Sequence, residues 1–285
     1  MSKTKTLRLN WPRWQGGMNP DYVMGQRILQ AIVPASCQVP SYTICCQGDK
    51  TDAQIVDEQE ALLAQEQQAR AILNEANPDQ VVILGGDCSV SQTPFSWLHE
   101  KYGDGFGILW LDAHPDISKV GTTRHFHEMP VANLLGLNPG NPLTEEKNPV
   151  SPSKILYAGL IEKDLLPKEK WVKELSIQFL TPQEITAHPQ AAKDWIQEQG
   201  IQKLAIHWDV DVLSPYDYFS QYSAEPGKNP EDFFAAIGRL TLTQVSQILQ
   251  DVQSCTDLVG LTIAENMPWD AIRLNKVLSS LDIMS

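Results

Sequence analysis

The chain has 285 residues, 42% of them hydrophobic, which is enough to bury the core of one large α/β domain. Its formal net charge of −13 argues against nucleic-acid and anionic-membrane partners, because phosphate surfaces attract basic proteins. The sequence has no apolar run of transmembrane length and its N-terminus has no apolar leader segment, so we expect a cytoplasmic protein.

Apolar, β-rich runs alternate with amphipathic helical windows, which predicts βαβ units and a parallel sheet covered on both faces. The predicted strands are, in chain order, Thr6–Asn10, Ser41–Cys46, Gln80–Leu84, Gly107–Asp112, Lys154–Leu160, Ile177–Leu180, Lys203–Asp209 and Leu258–Ile263. The predicted helices are Asp21–Ile32, Ala53–Asn77, Val131–Leu137, Ala191–Gln199, Leu242–Gln253 and Ala271–Leu281. Neither a repeat nor a linker divides the sequence, so we expect residues 1–285 to form a single domain.

Polar residues follow several predicted strands, where parallel sheets place their ligand crevices. Asp112, His114 and Asp116 come after the apolar run GFGILWL, and Asp209 and Asp211 end the run KLAIHW. Residues i and i+2 of an extended chain share a face, so the paired carboxylates would repel each other unless a divalent cation lay between them. Such donors suit a hard or borderline metal, including a two-metal cluster. Helix caps and surface carboxylates are the alternative for either motif taken alone.

A third predicted strand ends in the segment GGDCS, residues 85–89. Its two glycines permit a tight turn and a close approach of the backbone. The segment matches neither GxxxxGK[ST] nor GxGxxG, so it is not a phosphate-binding loop of either kind.

These segments, and their order along the chain, resemble those of the arginase/agmatinase (ureohydrolase) family. GGDCS is similar to the family segment GGDHS, WLDAHPD to DAHxD, and DVDVLSP to DxDxxDP. HEMP, at 127–130, is similar to HGMP, and ENMP, at 265–268, resembles the segment around the catalytic glutamate. The resemblance runs from Gly85 to Pro268. It implies a three-layer α/β/α sandwich with a central, mainly parallel eight-stranded sheet.

The resemblance also implies a hydrolase that cleaves a linear amidine C–N bond with two divalent metal ions, manganese in this family. The implied metal ligands are Cys88, Asp112, His114, Asp116, Asp209 and Asp211, with Asp112 and Asp209 bridging the ions. A metal-bridging hydroxide would attack the guanidinium carbon. The implied catalytic residues are His127 as proton shuttle, Glu265 as partner of the guanidinium, and Asp211. Imidazole titrates near neutral pH and a carboxylate pairs well with a planar guanidinium, so the first two roles are physically sound.

Cys88 stands where the family has a histidine ligand. A thiolate is softer than imidazole and must lose a proton to bind, so we expect this metal position to be weak or to hold zinc, iron or cobalt. An ordinary buried free cysteine is the alternative. The five cysteines lack regular spacing, which predicts reduced and mostly buried thiols. His125 and His207 are interpreted as structural histidines.

The expected substrate is arginine or a modified arginine such as N-hydroxyarginine, with urea or a urea-like product. Agmatine and guanidino acids remain open, as does a catalytically impaired arginase-like protein that binds or regulates a partner. The loop after Asp116 offers Ser118 and Arg124 as substrate contacts, and Asp164 matches a family position that holds a substrate amino group. Family members often assemble into homo-oligomers, which is a further expectation.

Overall fold

The computed structural model describes residues 4–34, 39–46, 58–143 and 148–279. Its strands are β1 Thr6–Trp11, β2 Ser41–Thr43, β3 Gln80–Gly85, β4 Phe106–Leu111, β5 Ile155–Ala158, β6 Gln178–Leu180, β7 Lys203–Asp209 and β8 Asp257–Ala264. They form one eight-stranded sheet in the order β2-β1-β3-β8-β7-β4-β5-β6. Every neighbouring pair is parallel, so the prediction of a mainly parallel sheet is confirmed.

The helices are α1 Tyr22–Ile32, α2 Glu58–Ala76, α3 Gln92–Tyr102, α4 Pro130–Leu134, α5 Trp171–Glu174, α6 Pro182–Ala187, α7 Ala191–Glu198, α8 Leu242–Gln253 and α9 Trp269–Leu278. Each of the six predicted helical windows overlaps one of them, but α4 and α9 begin one and two residues before their windows. Parts of two windows, at 53–57 and 280–281, lie outside the described residues. Helices α3, α5 and α6 were not predicted, and α3 is the one that matters for the site below.

The two faces of the sheet pack into separate apolar cores. On β4, Ile108 and Trp110 belong to a core that includes the inner side of α3, whereas Leu109 and Leu111 belong to a core shared with α7 and α8. All six residues of this strand are buried. The alternation of side chains along a strand therefore produces the three-layer arrangement that the resemblance implied.

The four cysteines within the described residues are free thiols. Cys88 is buried, but Cys46 and Cys255 are half-buried and Cys45 is exposed, so the prediction of mostly buried thiols was wrong for this set. Cys37 lies outside the described residues. In the described part of the chain, no helix combines the length and the apolar character needed to cross a bilayer.

Candidate metal centre

Four neighbouring strands, β3, β8, β7 and β4, deliver polar side chains to one rim of the sheet. Cys88 follows β3, Glu265 follows β8, Asp209 ends β7 and Asp112 follows β4. Because all the strands are parallel, their carboxyl ends lie at the same edge, where α/β sheets bind ligands. Residues that are far apart in sequence therefore meet in space.

The first group at this rim consists of Cys88, Asp112, Asp209 and His207. One potential ligand atom of each lies within 4.8 Å of those of the other three, and all four residues are buried. The Cys88 thiol donates a hydrogen bond to Asp209 Oδ2 at 2.8 Å. His207 is the member that was interpreted as structural from the sequence.

The second group consists of Asp112, His114 and Asp211, whose potential ligand atoms also lie within 4.8 Å of one another. His114 Nδ1 is 3.1 Å from Asp211 Oδ2 and 3.4 Å from Asp112 Oδ1. The two groups share Asp112. Two adjacent sets of donors therefore meet at one carboxylate.

Asp116 lies close to both groups without belonging to either. Its side chain is buried, and no described residue hydrogen-bonds its Oδ2 atom. Its φ of 45° lies in the left-handed region, where a residue other than glycine is uncommon. The Asp116 carbonyl accepts a hydrogen bond from Val131 N–H, which ties this turn to α4.

The first carboxylate of each pair also holds its own turn. Asp112 Oδ1 accepts the N–H of His114, and Asp209 Oδ1 accepts the N–H of Asp211, each at 2.7 Å. Such local bonds stabilise a turn directly after a strand. The second oxygen of Asp209 accepts the Cys88 thiol, and that of Asp112 accepts Trp110 Nε1.

Burial and mutual repulsion make this rim costly when its carboxylates are ionised. Burial and the Asp211 carboxylate raise the pKa of Asp112 to about 7 and raise the pKa of Asp209 well above its ordinary range. Burial, followed by the charge of Asp209, likewise raises the pKa of the Cys88 thiol. Burial would lower the pKa of His114, but the carboxylates around it leave the pKa well above normal.

A divalent cation would fit this donor set. Among the described residues, three buried polar atoms at the rim have no hydrogen-bond partner: His114 Nε2, Asp116 Oδ2 and His207 Nε2. Without a cation, burial and like charges favour the protonated forms of Asp112, Asp116 and Asp209, so their pKa values rise. Burial would also raise the pKa of Asp211, but the neighbouring His114 lowers it. Carboxylate, imidazole and thiolate together are ligands that suit borderline divalent metals.

His127 and Glu265, two of the catalytic residues that the resemblance implies, lie beside the first group. His127 Nδ1 and Glu265 Oε1 are 2.7 Å apart, and Tyr22 donates a hydrogen bond to Glu265 Oε2 at 2.6 Å. A ligand atom of Glu265 also lies within 4.8 Å of those of Asp209 and Asp211. Tyr22, on α1, was not singled out from the sequence, because nothing local links it to Glu265.

The three predicted substrate contacts lie in different environments. Ser118 is fully buried, and no described residue hydrogen-bonds its hydroxyl. Arg124 and Asp164 are exposed. Within the described residues, no hydrogen bond or ion pair joins these three side chains to the metal-ligand groups, so their roles stay predictions.

Comparison with known proteins places these features in a family. The family model described as "Arginase family" matches residues 18–273. Arginase from Eremothecium gossypii is 30% identical over 198 residues, covering 66% of this chain and 46% of that protein. Arginase from Saccharomyces cerevisiae is 40% identical over 200 residues, covering 66% of this chain and 57% of that protein. The matches thus span about half the length of these curated relatives.

Among solved structures, the arginase from Entamoeba histolytica in complex with L-ornithine is similar with a TM-score of 0.76. The match covers 93% of this chain and 92% of that one at 14% identity, so it shows a shared fold. The family match includes all four strand ends that form the rim. This chain therefore belongs to the arginase family.

Proposed function

We propose that this protein is a metal-dependent amidinohydrolase that cleaves a linear C–N bond of a guanidino compound and releases urea or a urea-like product. The observation that carries the proposal is the convergence of buried carboxylate, imidazole and thiol groups at one rim of the sheet. Holding so many buried acidic groups together is unfavourable unless they bind a cation. Arginine and modified arginines such as N-hydroxyarginine are the first substrates to test, followed by agmatine and guanidino acids.

In this proposal the rim would hold two divalent ions, which the family resemblance identifies as manganese. Cys88 and Asp116 would bind one ion, His114 and Asp211 the other, and Asp112 and Asp209 both. When bound, the ions lower the pKa of water so that hydroxide is available near neutral pH. The shared position of Asp112 in the two groups supports the bridging role.

Glu265 and His127 would then work as a coupled pair. In the absence of substrate, Glu265 holds a proton on His127: burial lowers the pKa of the imidazole, but the carboxylate more than offsets this and raises it to about 9. A guanidinium group that pairs with Glu265 would replace His127 as its cationic partner. The pKa of His127 would then fall towards neutrality, so that the imidazole can pass its proton to the leaving amine.

The remaining proposals concern the class of partner, the cellular location and the oligomeric state. The net charge of −13 favours a cationic small molecule over nucleic acid or an anionic membrane. Free thiols favour a cytoplasmic location. Assembly into a homo-oligomer is expected from the family resemblance alone and can be measured by light scattering.

A urea-release assay on a panel of guanidino compounds, with manganese, zinc or cobalt added, tests the activity. We expect Glu265→Gln to lower kcat/KM by about 100-fold, because it removes a buried charge that would pair with the guanidinium. Glu174→Gln, at an exposed position, should have no effect and serves as the control. If no compound is hydrolysed with any metal, the protein is better described as an arginase-like binding or regulatory protein, the alternative that the cysteine at position 88 favours.

A further inference from the structure

His207 lies in the interior of β7 and is fully buried. Its ring stacks on Trp110 of β4, with centroids 3.7 Å apart and an interplanar angle of 16°. It is also in register with Trp110 on one side and with Thr262 of β8 on the other. The imidazole is therefore held in one place by the sheet itself.

Hydrogen bonding gives the two ring nitrogens different roles. Ser91 donates its hydroxyl hydrogen to Thr262 Oγ1 at 2.8 Å, and Ser91 Oγ lies 2.7 Å from His207 Nδ1. A serine hydroxyl has a single hydrogen, so in this arrangement Nδ1 carries the imidazole proton and donates it to Ser91. The lone pair is then on Nε2, as in histidines whose second nitrogen is oriented for metal binding.

Nε2 points into the first donor group. It is buried, and no described residue hydrogen-bonds it. The nearest acidic atom, Asp112 Oδ2, is 3.9 Å away, which is too far for a hydrogen bond. That oxygen already accepts a hydrogen bond from Trp110 Nε1 at 3.0 Å. The opposite placement of the imidazole proton would thus bury an N–H group without an acceptor.

We propose that His207 is a metal ligand, and that it supplies the imidazole for the position where Cys88 stands. His207 then joins Cys88, Asp112 and Asp209, whose ligand atoms all lie within 4.8 Å of one another, and Asp116 keeps the place at this ion that was proposed above. This inference rests on the metal dependence proposed above. It replaces the sequence-based interpretation of His207 as a structural residue.

The donor set has a consequence for metal choice. A thiolate and an imidazole among the donors favour zinc or cobalt over manganese, which prefers oxygen-rich sites. The position built around Cys88 and His207 should therefore select zinc or cobalt in competition with manganese. Asp209 lies two residues after His207 on the same strand, so its side chain shares a face of the sheet with that of His207 and can reach the same ion.

Cobalt(II) absorption tests the proposal without an activity assay, because a bound thiolate gives a charge-transfer band and the d–d bands report the coordination number. The metal-free protein, its His207→Phe variant and a His99→Phe control are titrated with Co²⁺. His99 is the matched control because it is also buried and its ring contacts an aromatic neighbour, Phe106, with centroids 5.8 Å apart. Phenylalanine keeps the aromatic packing and removes the ring nitrogens.

We expect His207→Phe to weaken cobalt binding at the thiolate position by at least about tenfold, since even residues that only orient ligands have effects of that size. Its d–d bands should also weaken as water replaces the imidazole. The control should titrate like the wild type. A charge-transfer titration of His207→Phe that matches the wild type would overturn the ligand role of His207 and leave the proposed function standing. A wild-type protein that binds no Co²⁺ would overturn both.

A second measurement keeps the inference testable if His207→Phe does not fold. In a crystal structure of the wild-type protein loaded with Zn²⁺, the distance from zinc to His207 Nε2 should be about 2.0–2.1 Å. Zinc bound to Cys88 without His207 in its coordination sphere would contradict the inference.

Discussion

Asp209 is placed where an ionised carboxylate is costly in the absence of a cation. Its side chain accepts a hydrogen bond from Cys88, is 1% exposed and lies next to the Asp211 carboxylate. Burial and Asp211 raise its pKa well above the ordinary range. An ionised Asp209 therefore destabilises the metal-free fold, and the same negative charge favours metal binding.

We expect Asp209→Asn to raise the free energy of unfolding of the metal-free protein by roughly 1 kcal/mol at neutral pH, because the folded wild type must either bury the Asp209 charge or take up a proton, and asparagine needs neither. The amide oxygen can still accept the Asp211 N–H. Chemical denaturation in the presence of a chelator measures the effect, and Asp270→Asn, at a position with a 97% exposed side chain, is the control. A variant less stable than the wild type would contradict this view of Asp209.

Most of the residues at the rim could be predicted from the sequence, because they come in short segments. Asp112, His114 and Asp116 alternate directly after an apolar strand, and so do Asp209 and Asp211. His207 could not be assigned in this way, since a single histidine within an apolar strand is usually a satisfied core residue. The available signal was its position two residues before Asp209, on the same face of the strand.

At the level of the elements, Gly86 joins the end of β1 to the loops that follow β3 and β8. Its N–H donates to the carbonyl of Trp11, the last residue of β1, and its carbonyl accepts the N–H of Glu265, which follows β8. A Cβ atom at this position would lie 1.7 Å from Arg13 O, a backbone atom that cannot move aside alone. Close approach of the chain, and not a positive φ, is what requires glycine here.

We expect Gly86→Ala to lower the free energy of unfolding by about 3 kcal/mol, because the loops of β1 and β3 must separate. The displaced loop should also weaken the hold on Glu265. Thermal or chemical denaturation measures the loss. Gly105→Ala is the matched control, since its Cβ would be 3.5 Å from the nearest atom, an ordinary contact. Equal stability of the two variants would show that the loops are not packed as described.

The central strands could be predicted because they are short apolar runs with turn residues at their ends, whereas the edge strands β2 and β6 are short and exposed or half-buried. Helix α3 could not be predicted. Its residues Gln92 to His99 are all buried, so the helix lacks the alternation of polar and apolar faces that identifies a surface helix. Pro94, near its start, also reads as a helix breaker, although proline is tolerated in a first turn. This helix follows Cys88 and covers the face of the sheet that carries His207.

At the scale of the whole molecule, the charges at the rim predict how the metal-free protein responds to pH. Glu265 raises the pKa of His127 from 6.5 to about 9 against the opposing effect of burial. A histidine with a raised pKa contributes stability that is fully present below pH 6.5 and is lost as the pH rises through about 9. The pKa of Asp112 is raised from 3.8 to about 7, so this residue also costs stability as the pH rises, between pH 3.8 and about 7.

We therefore expect the metal-free protein to lose roughly 1–3 kcal/mol of stability between neutral pH and pH 9. His127→Gln should flatten this dependence, because glutamine keeps hydrogen-bonding capacity but does not titrate. Denaturation curves at several pH values, with chelator present throughout, provide the measurement. An equally steep loss in the variant would mean that another group titrates.

One rim of the sheet should bind divalent metal ions. The most direct test is to measure the metal content per chain by elemental mass spectrometry after purification without chelator and incubation with manganese, zinc and cobalt. We expect tightly bound divalent metal in stoichiometric amounts, two ions per chain at full loading, and its loss in Asp209→Asn. A folded wild-type protein that stays free of metal under all these conditions would contradict it.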